Sequence, residues 1–260
     1  SDSLAIMSAR WKVESPQKGI IHKYASIPQL YQGPQSISLI EIDPVAGLKV
    51  GVAVSDKMKE TSKIASECNA IAAINGSYFD MKRGNSVCFL KADRQVIDTT
   101  MQSEFKLRVT GAINVRKGKI KLIPWSKQIE KEYKGETGIV LASGPLMLKD
   151  GQICDWNSCG TNFIRTKHPR SAVATTKEGK ILLITVDGRF PEQAEGVNIP
   201  ELAHLIRILG GEDALNLDGG GSTTLWLSGA SDDGVVNYPC DNGRFDHAGE
   251  RKVPNILYIH

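Results

Sequence analysis

A mixed β-sheet core, α+β or α/β, carrying a βαβ unit near residues 181–217 and few flanking helices is the architecture this chain predicts. Two observations carry it. Four nearly continuous apolar runs each stop at a polar residue beside glycine, which is how strands covered on both faces read. One amphipathic segment with clear end signals lies between the last two runs, which makes strand, helix, strand.

The elements follow in order. Ile37–Ile42 alternates apolar and polar residues, and Leu48–Val54 does so around Val50, Val52 and Val54; both read as strands with one buried face. Thr61 caps an expected short helix reaching Cys68, with Ile64, Ala65 and Cys68 turned inward. Ala70–Ile74 is the first apolar run and stops at Asn75-Gly76. Leu107–Val115 and Gly118–Ile123 read as a hairpin turning at Lys117-Gly118. Gly138–Ala142 stops at Ser143-Gly144-Pro145, and Ile181–Val186 stops at Asp187-Gly188-Arg189. Asn198 with Glu201 three residues later forms a capping box. Leu202, Leu205, Ile206 and Leu209 give the stripe of a helix packing on a sheet, and Gly210-Gly211 ends it. Ala214–Leu217 is the last run and stops at Asp218. A right-handed crossover makes the two strands of this unit parallel, with backbones ~5 Å apart as neighbours or ~10 Å with one strand between. Asp187 and Asp218 then share an edge. No repeat or linker divides the chain, so residues 37–260 read as one domain and residues 1–36 as a peripheral N-terminal segment.

Composition narrows the function classes. The 260 residues are 41% hydrophobic and 23% charged with a net charge of +3, and no basic-aromatic tract occurs. Nucleic acid is disfavoured as a partner. No stretch approaches the ~20 apolar residues of a transmembrane helix. The start, Ser1-Asp2-Ser3, lacks methionine and a signal pattern and reads as a processed or trimmed end. Of the five cysteines, Cys154 and Cys159 are spaced for a small disulfide loop; zinc is the weaker alternative, because the usual paired spacing is missing.

Polar strand ends in an α/β sheet gather at a binding crevice. The densest of them is Asn216-Leu217-Asp218-Gly219-Gly220-Gly221-Ser222-Thr223-Thr224. Consecutive amides in such a glycine run can form an anion-binding nest, and a carboxylate beside one points to a polar, anionic substrate. His168-Pro169-Arg170 adds an imidazole and a permanent cation on one side of an extended segment. Arg189 is a second candidate for a bidentate anion contact. Asn75 and Asn216 can orient a substrate hydroxyl or satisfy backbone groups, and Arg251 reads as surface or structural. The run is no P-loop, and Ser222 stands outside the nucleophile-elbow pattern. No cofactor motif is present. Scattered Asp80, Asp187 and Asp218 leave a lone Mg²⁺ or Ca²⁺ open, with its ligands unknown.

Several of these segments, in the same succession, are similar to the phosphodiester glycosidase family. They are Asn75-Gly76-Ser77-Tyr78-Phe79, Ser143-Gly144-Pro145, His168-Pro169-Arg170-Ser171-Ala172, Asp187-Gly188-Arg189, the glycine run, and Arg251-Lys252-Val253-Pro254-Asn255. The resemblance spans Ile37 to the end and points to a bacterial member. It implies hydrolysis of the bond between a sugar's anomeric carbon and phosphate, on an envelope or exopolysaccharide glycan. It also implies an exported protein, periplasmic or at the cell surface. Such cleavage passes through an oxocarbenium-like state and usually employs two carboxylates. Asp218, Asp187 and His168 are the expected catalytic groups. Asn75, Ser143, Gly144, Arg170, Arg189, Asn216, Gly219, Gly220, Gly221, Ser222 and Thr223 are the expected substrate contacts. A noncatalytic glycan-binding module is the alternative; a metal-dependent phosphodiesterase would cut the P–O bond instead.

Overall fold

The apolar run Ile181–Val186 is a strand buried at every residue. It lies within an eight-stranded sheet of a computed structural model that describes residues 1–135 and 138–260. From edge to edge that sheet runs Lys12–Gln17, Ile20–Leu30, Gly33–Ile42, Ile181–Val186, Arg170–Thr176, Gly211–Asn216, Leu146–Lys149 and Gln152–Ile153. Every neighbouring pair is antiparallel. Ile181–Val186 and Gly211–Asn216 both pair with Arg170–Thr176, so they are parallel to each other with that strand between them. The βαβ unit is present in its ~10 Å form, and Asp187 and Asp218 leave the sheet at one edge.

The crossover helix is Ile199–Ile208, opened by the capping box of Asn198 and Glu201 with both hydrogen bonds at 2.9 Å. Its Leu202, Leu205 and Ile206 are fully buried, each stabilising the fold by ~1.5–3 kcal/mol relative to exposure. They pack on Ala172, Ala174, Leu182, Ile184 and Ala214. The alternate residues Val173, Leu183 and Leu215 face the other way, toward Leu90, Ile113, Leu141 and Ile74. Period-two alternation therefore sends each central strand's apolar residues into two different cores, which is why these strands read as unbroken apolar runs.

The second face is covered by two smaller antiparallel sheets. One is ordered Gln95–Asp98, Leu90–Ala92, Ile139–Ser143, Gly111–Arg116, Lys119–Pro124; the other Leu225–Leu227, Ala72–Asn75, Lys252–Ile259, Val50–Glu60. Lys252–Ile259 lies between Ala72–Asn75 and Val50–Glu60 and pairs with both.

Several boundaries differ from expectation. The helix Thr61–Glu67 has Glu60 at its N-cap, so Thr61 is its buried first residue and caps nothing. The hairpin turn at Lys117-Gly118 is present with both residues at positive φ, but Leu107 ends the preceding helix Gln102–Leu107 and the hairpin starts at Gly111. Within residues 1–36, Ile6, Ala25, Ile27 and Leu30 belong to the core beneath the crossover helix. Cys154 and Cys159 are free thiols.

Candidate active site

The edge where the two parallel strands end is built by hydrogen bonds between distant segments. Asn75, fully buried, donates from Nδ2 to the Asp218 carbonyl at 2.7 Å. Its Oδ1 accepts from Ser171 Oγ at 2.7 Å and Thr224 N at 3.1 Å. Asp218 N donates to the Gly76 carbonyl, and Gly220 N to the Pro169 carbonyl, each at 3.0 Å. Asn216 Nδ2 donates to Tyr78 Oη at 3.0 Å and to the Gly144 carbonyl at 3.2 Å, while Ser143 Oγ donates to the Asn216 carbonyl at 2.9 Å. Three strand ends, at Asn75, Ser143 and Asn216, and the segment around Pro169 and Ser171 are thus tied into one platform. Asn75, Ser143 and Asn216 are its buried struts, with at most 1% of their surface exposed.

Asp218 stands on this platform, half-buried at the start of the glycine run. Burial pushes its carboxyl up to about 6 against the opposing influence of Ser222, Arg108, the Gly219 amide and Arg251. The Gly219 N–H donates to its Oδ1 at 2.9 Å. Ser222 Oγ approaches the carboxylate but lies outside good hydrogen-bond geometry. Gly220 takes a φ of +56° that side-chain-bearing residues seldom adopt, and Arg189 Nη2 lies 3.1 Å from where its Cβ would be.

Four amides of the glycine run already have acceptors within the protein. Gly219, Gly220, Ser222 and Thr223 direct their N–H groups to Asp218 Oδ1 and to the carbonyls of Pro169, Gly219 and Gly220 respectively. The last two of these bonds close the compact 3₁₀ turn at Gly220–Ser222. Ser222 and Thr223 are buried beneath it. Positive charge at the site comes from arginine side chains instead.

Arg170 is not free to supply it. With 2% of its surface exposed, it donates from Nε to the Val197 carbonyl at 3.0 Å and from Nη2 to those of Phe163 and Thr166 at 2.9 and 2.7 Å. Burial lowers its pKa to about 10. His168 is half-buried, its pKa lowered by burial and then by Arg170 and Arg189. Asp187 shares the edge with Asp218, but its carboxylate faces elsewhere. Ser36 Oγ donates to its Oδ2 at 2.6 Å, and Asn237 Nδ2 and Tyr238 N donate to its Oδ1 at 3.1 and 3.0 Å. Asn237 also donates to the Thr223 carbonyl at 2.9 Å, so Asp187 braces the glycine run from behind. No group of three or more His, Cys, Asp or Glu side chains arranged to hold a metal occurs among the described residues.

A family model described as phosphodiester glycosidase matches residues 68–260, most of the chain and all of this edge. The chain belongs to that family. Relatives named N-acetylglucosamine-1-phosphodiester alpha-N-acetylglucosaminidase are 24% identical over 205 residues in Mus musculus and 26% over 196 residues in Bos taurus. These alignments take in 72% and 74% of this chain but 37% and 32% of the relatives, so the chain spans about a third of their length. Among solved structures, the zebrafish enzyme's catalytic domain auto-inhibited by pro-peptide superposes with a TM-score of 0.71 at 19% identity, covering 99% of this chain and 92% of that one. A hypothetical protein from Synechocystis gives 0.68 at 15%, covering 97% and 64%. These two likenesses are of fold.

Within this phosphodiester glycosidase fold, two cations acting on Asp218 were not among the expected site residues. Arg108 lies 3.5 Å over the Tyr78 ring, gripped by Glu104 through Nε at 2.8 Å and Nη2 at 3.2 Å, and its charge acts on Asp218. Arg251, expected at the surface, is half-buried and also acts on Asp218. It donates from Nε and Nη2 to Asp241 Oδ1 at 3.2 and 2.7 Å. Only Arg251 carried a sequence signal, through the C-terminal motif. A lysine-lined hollow of about 700 Å³ bounded by Lys49, Lys121, Lys149 and Asp213 lies at the opposite end of the large sheet and takes no part in this constellation.

The buried carboxyl of Asp187 has a consequence for stability. Burial pushes it up to about 7, against about 3.9 in an unfolded chain. A raised folded pKa gives stability that is fully present below about pH 4 and lost as pH rises through 7. Asp187→Asn keeps the acceptor for Asn237 and Tyr238 and removes the ionisation. Thermal melts of both proteins between pH 4 and 8 should show the variant gaining on the wild type by roughly 3–4 kcal/mol across that window. Parallel curves would contradict this account of Asp187.

Proposed function

We propose that this chain hydrolyses glycosyl phosphodiesters, cleaving the bond between the anomeric carbon and the phosphate oxygen. One observation carries the reading: Arg108 and Arg251 act on a half-buried carboxylate whose pKa burial raises to about 6, and Arg189 lies against Gly220 in the adjoining turn. Phosphate departs as an anion, and guanidinium groups facing it stabilise the charge as it develops. Asp218 is the base or nucleophile at the sugar carbon. His168, with its lowered pKa, meets the phosphate as a neutral imidazole hydrogen-bonding partner and carries no permanent charge. Family membership and the activity in the names of the mammalian relatives support the same chemistry. The substrate we infer is a phosphodiester-linked envelope or exopolysaccharide glycan met outside the cytoplasm; no helix among the described residues is long and apolar enough to cross a membrane.

Hydrolysis in H₂¹⁸O tests the bond assignment. Label is expected in the sugar hydroxyl; label in the phosphate would mean P–O cleavage, and no turnover on any glycosyl phosphodiester would leave a binding module. The kcat/KM of the wild type should rise as pH passes upward through about 6, where Asp218 ionises.

A further inference from the structure

Glycoside cleavage through an oxocarbenium-like state usually requires a second carboxylate facing the sugar. The strand-end signal pointed to Asp187, but that carboxylate is buried and its two oxygens accept three hydrogen bonds. Glu104 is buried as well, with both oxygens held by Arg108. Neither is placed to meet a sugar ring.

Asp241 is placed differently. It is exposed and lies beside the same glycine run as Asp218. A Cβ on Gly221 would sit 2.7 Å from Asp241 Oδ1 and would collide with the Arg251 guanidinium, so glycine is what lets this carboxylate close on the run. Arg251 reaches both acids: it bonds Asp241 Oδ1 through two nitrogens and acts electrostatically on Asp218. The two carboxylates therefore flank one arginine and one glycine turn. Both Arg251 bonds fall on Oδ1, and Asp241 Oδ2 has no partner among the described residues.

We propose that Asp241 is the second carboxylate of the site, with Arg251 holding its charge and orientation while Oδ2 faces the anomeric carbon. This rests on the phosphodiester glycosidase reading above. In the step, the C1–O bond breaks with its electron pair leaving on the phosphate. Positive charge grows at C1 and the ring oxygen opposite Asp241. Water adds its oxygen to C1 and gives its proton to Asp218. Asp241 supplies the negative charge against which the cation develops, an interaction that strengthens only toward the transition state.

The experiment compares the wild type, Asp241→Asn and Asp241→Ala on a sugar-1-phosphodiester that the wild type hydrolyses. Asn retains an acceptor for Arg251 and removes only the charge. The expected result is a kcat at least 10²-fold lower with KM within about threefold, an unchanged melting temperature, and partial recovery of Asp241→Ala turnover by added formate. A small carboxylate entering the vacated space restores chemistry, whereas it does nothing for a residue that merely shapes the loop. A kcat for Asp241→Asn within about threefold of wild type, a loss confined to KM, or an Ala variant deaf to formate would overturn the assignment of Asp241. A wild type that hydrolyses no such substrate would instead overturn the underlying reaction, so the two failures are distinct.

Discussion

Asp218→Asn is expected to lower turnover by at least 10²-fold, about 2.7 kcal/mol of activation free energy, with the protein still folded. The substitution retains Oδ1 as acceptor for the Gly219 amide, and the backbone bonds to Asn75 and Gly76 do not involve the side chain. What is lost is the negative charge that accepts a proton or meets the sugar carbon. Burial disfavours that charge in the native protein, so the neutral variant should melt no lower than the wild type at pH 7. Affinity for a glycosyl phosphodiester should persist, because the surrounding arginines are untouched. Turnover equal to the wild type would move the chemistry to another group and leave Asp218 as a turn residue. A binding module would show no turnover in either form and similar affinity in both.

The second large effect concerns stability. Arg170→Met should destabilise the fold by roughly 3–5 kcal/mol, because the carbonyls of Val197, Phe163 and Thr166 lose their donors inside the protein. A chain of this size loses ~2–4 °C of melting temperature per kcal/mol, so a drop on the order of 10 °C should appear in a thermal scan. Arg170→Lys restores part of it, since one ammonium can reach one or two of three carbonyls that a planar guanidinium serves together. Assayed well below its melting temperature, the Lys variant should retain a KM near that of the wild type. A tenfold rise in KM with an unchanged melting temperature would return Arg170 to the substrate phosphate.

What could be read from sequence was what local periodicity encodes. The crossover helix carried its cap, its stripe and its terminating glycines within the fourteen residues from Asn198 to Gly211. The apolar runs ended at Asn75, Ser143, Asp187 and Asp218 because the strands themselves end there. Pairing is non-local, and nothing between Val186 and Gly211 announces that Arg170–Thr176 will insert between their strands. The side chains around Asp218 divide the same way. The glycine run pointed to Asp218, but Arg108 follows a six-residue helix too short to show a stripe, and Asp241 sits in a loop without regular structure. Arg170 was read by its charge, which was correct chemistry in an unforeseen place: three carbonyls attract a guanidinium as a phosphate does. Most amides of the glycine run are engaged by acceptors in and beside the turn, which the sequence alone does not announce.

The placement of Lys252–Ile259 between two strands formed from residues 50–60 and 72–75 sets an order of assembly. Chains are synthesised from the N-terminus, and contacts across long sequence separations form slowly. A nascent chain carrying everything up to Gly249 can pair much of its large sheet, yet the strand that ends at Asn75 still has one open edge. Arg251 arrives only with that final strand. The open edge of the strand that ends at Asn75 is thus closed, and the cation near Asp218 delivered, by the same late event.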